Sequence, residues 1–165
     1  MDAYMIILRL IHIFAGIFWV GATFFMVGFV EPTVRASGPV GGQVMQKLMS
    51  GTRFSVAVAA AGGLTMLSGL LLYWRISNGL TTAVMFGSRL PLTLGAISGI
   101  LAGVLGGGIQ GRASARLAAL GQQMAAGGTP DPAHLAEMQK LQETIRQGSA
   151  VTAVLMALAV IGMAV

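Results

Sequence analysis

The stretch Tyr4-Met5-Ile6-Ile7-Leu8-Arg9-Leu10-Ile11-His12-Ile13-Phe14-Ala15-Gly16-Ile17-Phe18-Trp19-Val20-Gly21-Ala22 opens an apolar run that continues to Val30. A hydrocarbon core about 30 Å thick needs about 20 helical residues, so this run predicts a tilted, slightly over-long membrane span at 4–30. Met1-Asp2-Ala3-Tyr4 offers no positively charged start, and the apolar run exceeds the roughly 7 to 15 residues of a signal-peptide core. The segment is therefore expected to stay as a span. Three further apolar stretches, at 52–74, 89–110 and 148–165, predict three more spans. The fold class that follows is all-α: an integral membrane four-helix bundle forming a single membrane domain over 1–165.

Composition agrees with that reading. Of the 165 residues 55% are hydrophobic and only 9% charged, against roughly 25% charged in soluble domains. The chain holds 24 glycines but only 5 prolines, and no Gly-x-y period, which excludes collagen. It has no cysteine, which removes disulfides, thiolate zinc sites, cysteine-bound iron–sulfur clusters and covalent c-type haem. The net charge of +5, set beside this hydrophobicity, points to a bilayer rather than to nucleic acid.

Arg35, Lys47, Arg53, Arg112, Arg116, Lys140 and Arg146 fall on the side of the first and third loops, and Arg9, Arg75 and Arg89 on the other. The positive-inside rule then places both termini outside and the long loops in the cytoplasm. Tyr73 and Trp74 read as an interfacial anchor. Residues 111–147 are too polar to cross but too patterned for disorder. Leu117, Leu120 and Met124 recur at helical spacing, as do Leu135, Met138, Leu141 and Ile145 after a break at Gly127-Gly128-Thr129-Pro130. Asp131 followed by Pro132 reads as an N-cap with proline at the first helical position. The third and fourth spans are thus expected to project as a polar helical hairpin, the alternative being an amphipathic pair lying on the surface. Residues 31–51, with Pro32 and Pro39, read as an irregular connection with at most one short helix.

An ionisable group within hydrocarbon costs about 2.5–3.5 kcal/mol or more, so it needs a reason to be there. Arg9 and His12 lie three residues apart on one helical face that continues through Gly16, Trp19, Thr23 and Met26. The imidazole of His12 is suited to haem iron, chlorophyll magnesium or copper. Gly16, one turn on, would leave room for a flat macrocycle, and Arg9 would pair with a propionate. The competing reading has His12 hydrogen-bonded to a Ser, Thr or backbone carbonyl of a neighbouring helix while Arg9 snorkels. Met66 and Met156 are the candidate second metal ligands within spans; a five-coordinate haem and a ligand from another subunit are the alternatives. His134 lies in the polar segment on the other side. Met45 and Met49, an i, i+4 pair, are the methionine signal for Cu(I) handling, and most other methionines read as core filler.

The third span carries Gly95, Gly99, Gly103, Gly107 and Gly111 at a constant interval of four. A period of four on a 3.6-residue helix makes a bare groove that winds around it, fitted for close helix packing or for a flat or elongated ligand. Thr65, Ser68, Thr93 and Ser98 offer interhelical hydroxyls, with no hydrolytic triad or carboxylate dyad in the spans. Glu31, beside Pro32, is expected to form an interface ion pair with Arg35 or Arg53.

The run Leu10–Ala22, with its Leu-His, its seven-residue step from His12 to Trp19, and Gly21, resembles the first helix of bacterial CopD-like membrane proteins. It is also similar to the related HemJ-type haem proteins, through Trp19, Gly21 and Phe24. The resemblance implies a small bundle of membrane helices with His12 an axial ligand of haem b. The function expected is electron transfer or haem-linked redox in the bacterial inner membrane, with other membrane subunits or a second copy as partners, the alternatives being a non-catalytic scaffold and copper import in the manner of CopD-like proteins.

Overall fold

The structure is a computed structural model that describes residues 2–125 and 131–165. Among them every regular element is helical. Four helices are long and apolar enough to cross a membrane: Ala3–Ala36, Phe54–Ile76, Leu90–Met124 and Pro132–Ala164. The expected break at Gly127–Pro130 lies outside the described residues.

The first rod is α1 (Ala3–Phe25), a π-helical turn over Met26–Val30, and α2 (Glu31–Ala36). The wide turn follows from Pro32. A proline has no N–H to give and its ring collides with the carbonyl four residues back, here that of Gly28. The chain relieves this by letting the Glu31 N–H reach the carbonyl of Met26, five residues back.

Residues 31–51 correct the expectation of an irregular connection. After α2 the chain turns at Gly38, whose φ of +56° suits glycine, into α3 (Gly38–Ser50), a full helix with proline in its first turn. Proline stands there at little cost, because a first-turn N–H has no helical partner to lose. Pro39 is a helix start, and Pro32 lies within the first rod, where the π-helical turn absorbs it.

The second rod is α4 (Phe54–Ile76). It ends in the left-handed run Asn78, Gly79, Leu80, where Ser77, itself buried, accepts the Leu80 N–H at 3.0 Å. A single turn, α5 (Thr82–Met85), leads to the third rod: α6 (Leu90–Gly103), a second π-helical segment Val104–Gln110 and α7 (Gly111–Ala125). Gly106-Gly107-Gly108 hold α-geometry weakly, and the Gly111 N–H again bonds five residues back, to Gly106. The fourth rod is α8 (Pro132–Ala164), capped as expected: Asp131 Oδ1 accepts the Ala133 N–H at 3.0 Å.

The rods pack mainly in two pairs, α1 along α4 and α6 along α8, with lighter contact between α4 and α6 and between α1 and α8. In lipid the tails are as apolar as leucine, so close backbone approach and dispersion must hold helices together. The α6–α8 seam achieves this. A methyl group on Gly162 would stand 2.6 Å from the Pro91 carbonyl oxygen and 2.8 Å from the Gly95 Cα. Glycine is required at this crossing. Ala102, Met156 and Leu120 are almost fully buried, while Phe14, Ile17 and Phe29 on the first rod are 66–70% exposed, as lipid-facing side chains would be.

Within α6, from Gly95 to Gly103, the glycine ladder turns as its period demands, by about 40° per step. Gly95 and Gly99 face Ala159 of α8, Gly103 faces the thioether of Met66 on α4, and Gly107 has nothing within 4 Å. Neighbouring helices thus fill its upper part. α7 packs on α8, where Arg116 Nε donates to Glu137 Oε1 at 2.7 Å.

Candidate functional site

The polar stripe of α1 meets a complementary stripe of small residues on α4, and the match runs antiparallel. His12 rests on Gly69, Thr65 covers Gly16 and Trp19 rests on Gly62. Methyl groups added at Gly69 and Gly62 would approach the His12 ring to 2.8 Å and the Trp19 ring to 3.2 Å. Large side chains of one helix therefore sit in the hollows of the other. Thr23, one turn beyond Trp19, turns its hydroxyl back to the Trp19 carbonyl at 2.9 Å.

His12 Nδ1 lies 2.9 Å from the backbone carbonyl oxygen of Thr65. A carbonyl can only accept, so this partner assigns the proton to Nδ1 and leaves Nε2 with its lone pair. The Ser68 hydroxyl stands farther off at 3.4 Å and already donates to the Leu64 carbonyl. The ring is part-buried, and its orientation is set from the backbone of α4.

Of the residues singled out in the sequence, the structure brings His12, Gly16 and Trp19 together on α4, with Arg9 one turn toward the N-terminus and exposed. It leaves the three candidate metal ligands on separate helices: His12 on α1, Met66 on α4 with its sulfur over Gly103, and Met156 buried on α8. Among the described residues no group of three or more His, Asp or Glu is placed to hold a metal ion. Among the described residues Glu31 forms no direct ion pair with Arg35 or Arg53.

A haem fits this site in one respect and not in another. The imidazole is the right donor, neutral and oriented through its far nitrogen, as metal-bound imidazoles are. Gly16 gives no room for a macrocycle, because the Thr65 methyl is 3.6 Å from where its Cβ would be. Any room must lie outside the α1–α4 seam.

What the sequence reading did not pair was the partner face, Gly62, Thr65 and Gly69. Their spacing of three and four was the available signal, since it puts all three on one side of α4.

At the C-terminal end of α4, the Tyr73 hydroxyl reaches toward α6. It meets Thr93 Oγ1 at 2.7 Å, while Thr93 donates to the Met85 carbonyl at 2.8 Å.

No family model, curated protein or solved structure matches the chain.

Proposed function

We propose that this chain is a multi-pass protein of the bacterial inner membrane that binds haem b through Nε2 of His12 and serves in electron transfer, as part of a larger membrane complex. Its four rods form a bundle, with α7 and the polar half of α8 as a cytoplasmic hairpin and both termini outside. The observation that carries the reading is the Nδ1 contact with the Thr65 carbonyl, 2.9 Å. It fixes the tautomer, raises the basicity of Nε2 and spares an intramembrane imidazole for one ligand.

In this reading Gly69 seats the ring, Trp19 locks α1 on α4 through Gly62, and Arg9 pairs with a propionate. Bound haem supplies a one-electron couple, and the protein supplies the ligand, its orientation and a dry surrounding. A second ligand, if the group took one, would come from another subunit or from a rearranged Met66 or Met156.

The test is an absorption spectrum with metal analysis. The purified protein is expected to show a Soret band that His12→Ala abolishes while helical circular dichroism persists. A colourless, well-folded preparation overturns the proposal, and copper or magnesium in stoichiometric amount redirects it to copper transport or to chlorophyll.

One observation favours a second reading, that of a non-catalytic scaffold: each of His12, Gly16 and Trp19 already has a packing partner on α4. That reading expects a colourless protein with a co-purifying membrane partner, lost in Gly103→Leu.

A further inference from the structure

Residues 31–53 carry three cations, Arg35, Lys47 and Arg53, against one carboxylate, Glu31. Among the described residues none of the three cations is held in an ion pair, so their charge is available to an anion from outside. In the crook where α3 turns back beside the first rod lies an apolar groove of about 270 Å³, lined by Phe25, Phe29, Val30, Thr33, Val34 and Val44. Phe25 and Phe29 form one wall, their ring centroids 5.9 Å apart. Thr33 spends its hydroxyl on the Phe29 carbonyl at 2.7 Å, which leaves its methyl to the groove. Gly41 holds the crook closed, since a methyl group there would collide with the Val34 carbonyl oxygen.

The surface of α3 says what the groove is for. Gly41 is buried and Met45 and Leu48 half-buried, Val40 and Val44 stay 65% and 58% exposed, and Gln43, Gln46 and Ser50 are exposed on the far side. At 100° per residue Lys47 falls between Gln43 and Val40, at the edge where the polar face meets the bare valines. An exposed apolar strip edged by a cation is the pattern of a helix at a membrane surface, its apolar side sunk by about 5–10 Å and its cation reaching for headgroups. The register that pairs His12 with Gly69 and Trp19 with Gly62, continued along both helices, brings Arg53 level with about Gly28, between the two phenylalanines of the wall. The groove is smaller than the roughly 300–1,000 Å³ that encloses a whole small molecule, and a slender chain that runs on into the bilayer needs no more. A second copy meeting this patch across a two-fold axis would bring the same excess of positive charge. An anion with an acyl chain answers both the apolar wall and the charge.

We propose that this crook binds an anionic phospholipid, with one acyl chain against Phe25, Phe29 and Val44 and the phosphate held by Lys47 and Arg53. The site needs the bilayer but not the haem. Lipid tails are as apolar as the groove, so the chain only fits there; preference for one lipid over another comes from the charge-assisted bonds to the phosphate and headgroup.

Native mass spectrometry of the full chain, offered phosphatidylglycerol or phosphatidylcholine in detergent, tests this. Phosphatidylglycerol is expected to stay bound where phosphatidylcholine is lost. Lys47→Gln and Arg53→Gln are each expected to weaken it about fivefold, the attraction of one basic residue at an anionic surface. Glycerol 3-phosphate, an anion without chains, is expected not to compete. In nanodiscs, phosphatidylglycerol with a diazirine in its acyl chain is expected to mark residues 25–34 and Val44 on irradiation, and Val44→Trp, which fills the groove, to remove the mark. Equal retention of the two lipids, affinity unchanged in both charge variants, competition by glycerol 3-phosphate or a mark elsewhere overturns the proposal. A lipid-free dimer that Val44→Trp dissociates overturns it in favour of a second copy. Lys47 and Arg53 are exposed, so their variants decide the matter even if Val44→Trp fails to fold.

Discussion

The His12 imidazole rests on the bare Cα of Gly69, and a methyl group at that position would stand 2.8 Å from its Cε1. The ring must then shift, and with it the hydrogen bond to Thr65. Gly69→Ala is expected to lower stability by about 1–3 kcal/mol, the usual range for overpacking. Thermal unfolding in detergent measures it. Gly16→Ala is the contrast. Its Cβ would meet the Thr65 methyl at an ordinary 3.6 Å, so the expected change is within about 0.5 kcal/mol. If Gly16→Ala bleached a haem, the macrocycle would be lying where the structure has Thr65.

The glycines of the third and fourth rods should also divide by what faces them. Gly162→Ala places a methyl against Pro91 and Gly95 backbone, where neither side can give way. A loss of about 1–3 kcal/mol or more is expected, with α6 and α8 pushed apart. Gly107→Ala enters open space and should be neutral, or stabilising by about 0.5–1 kcal/mol through helix propensity. Unfolding of the two variants under identical conditions would separate them, and equal effects would refute the α6–α8 crossing.

At the C-terminal end of α4, Thr93 accepts from Tyr73 and donates to the Met85 carbonyl. Tyr73→Phe removes a donor and leaves Thr93 able to turn to other partners, for a cost of about 0.6–1 kcal/mol. Thr93→Val strands the Tyr73 hydroxyl and a carbonyl together, and about 1–3 kcal/mol is expected. The ordering of the two melting temperatures is the test.

The polar part of α8 carries a pH dependence. Arg146, first, and Gln147 donate to the Glu143 carboxylate, which lowers its pKa to about 2 from 4.5. A depressed carboxyl pKa stabilises the fold fully above the unfolded value and loses that contribution as pH falls through the folded one. The contribution of Glu143 is therefore complete above 4.5 and lost between there and about 2. Glu137 is shifted in the same direction by Arg116. Carboxyl-carbon NMR titration is expected to show both titrating low, and Arg146→Gln to return Glu143 toward its ordinary range.

The spans were readable because length and apolarity are local properties: the run at 4–30 falls within the first of the four long helices, and those at 52–74, 89–110 and 148–165 match the other three to within two residues at one end. Asp131 and Pro132 announced the start of α8 because a cap is chemistry between adjacent residues. The winding of the Gly95–Gly103 ladder followed from arithmetic. The helices at Glu31–Ala36 and Gly38–Ser50 were hidden because Pro32 and Pro39 stop a helix in one position and start it in another. The seat of His12 on Gly69 was hidden for a different reason. It depends on which rod lies beside α1 and at what height, a relation between residues 57 positions apart in the chain that no single helical face contains.

The wide turns at Met26–Val30 and Val104–Gln110 break the phase of the rods that contain them. Each adds roughly one residue to a turn, so everything beyond is rotated by about 100° relative to an uninterrupted helix. A helical wheel drawn through either segment would assign Glu31 and Gln110 to the wrong side. By the same reasoning, deleting a single glycine from Gly106–Gly108 would straighten the third rod without shortening its apolar part much. Because the extra residue and the wide turn would go together, Gln110 would still face Thr152 and Arg116 would still face Glu137.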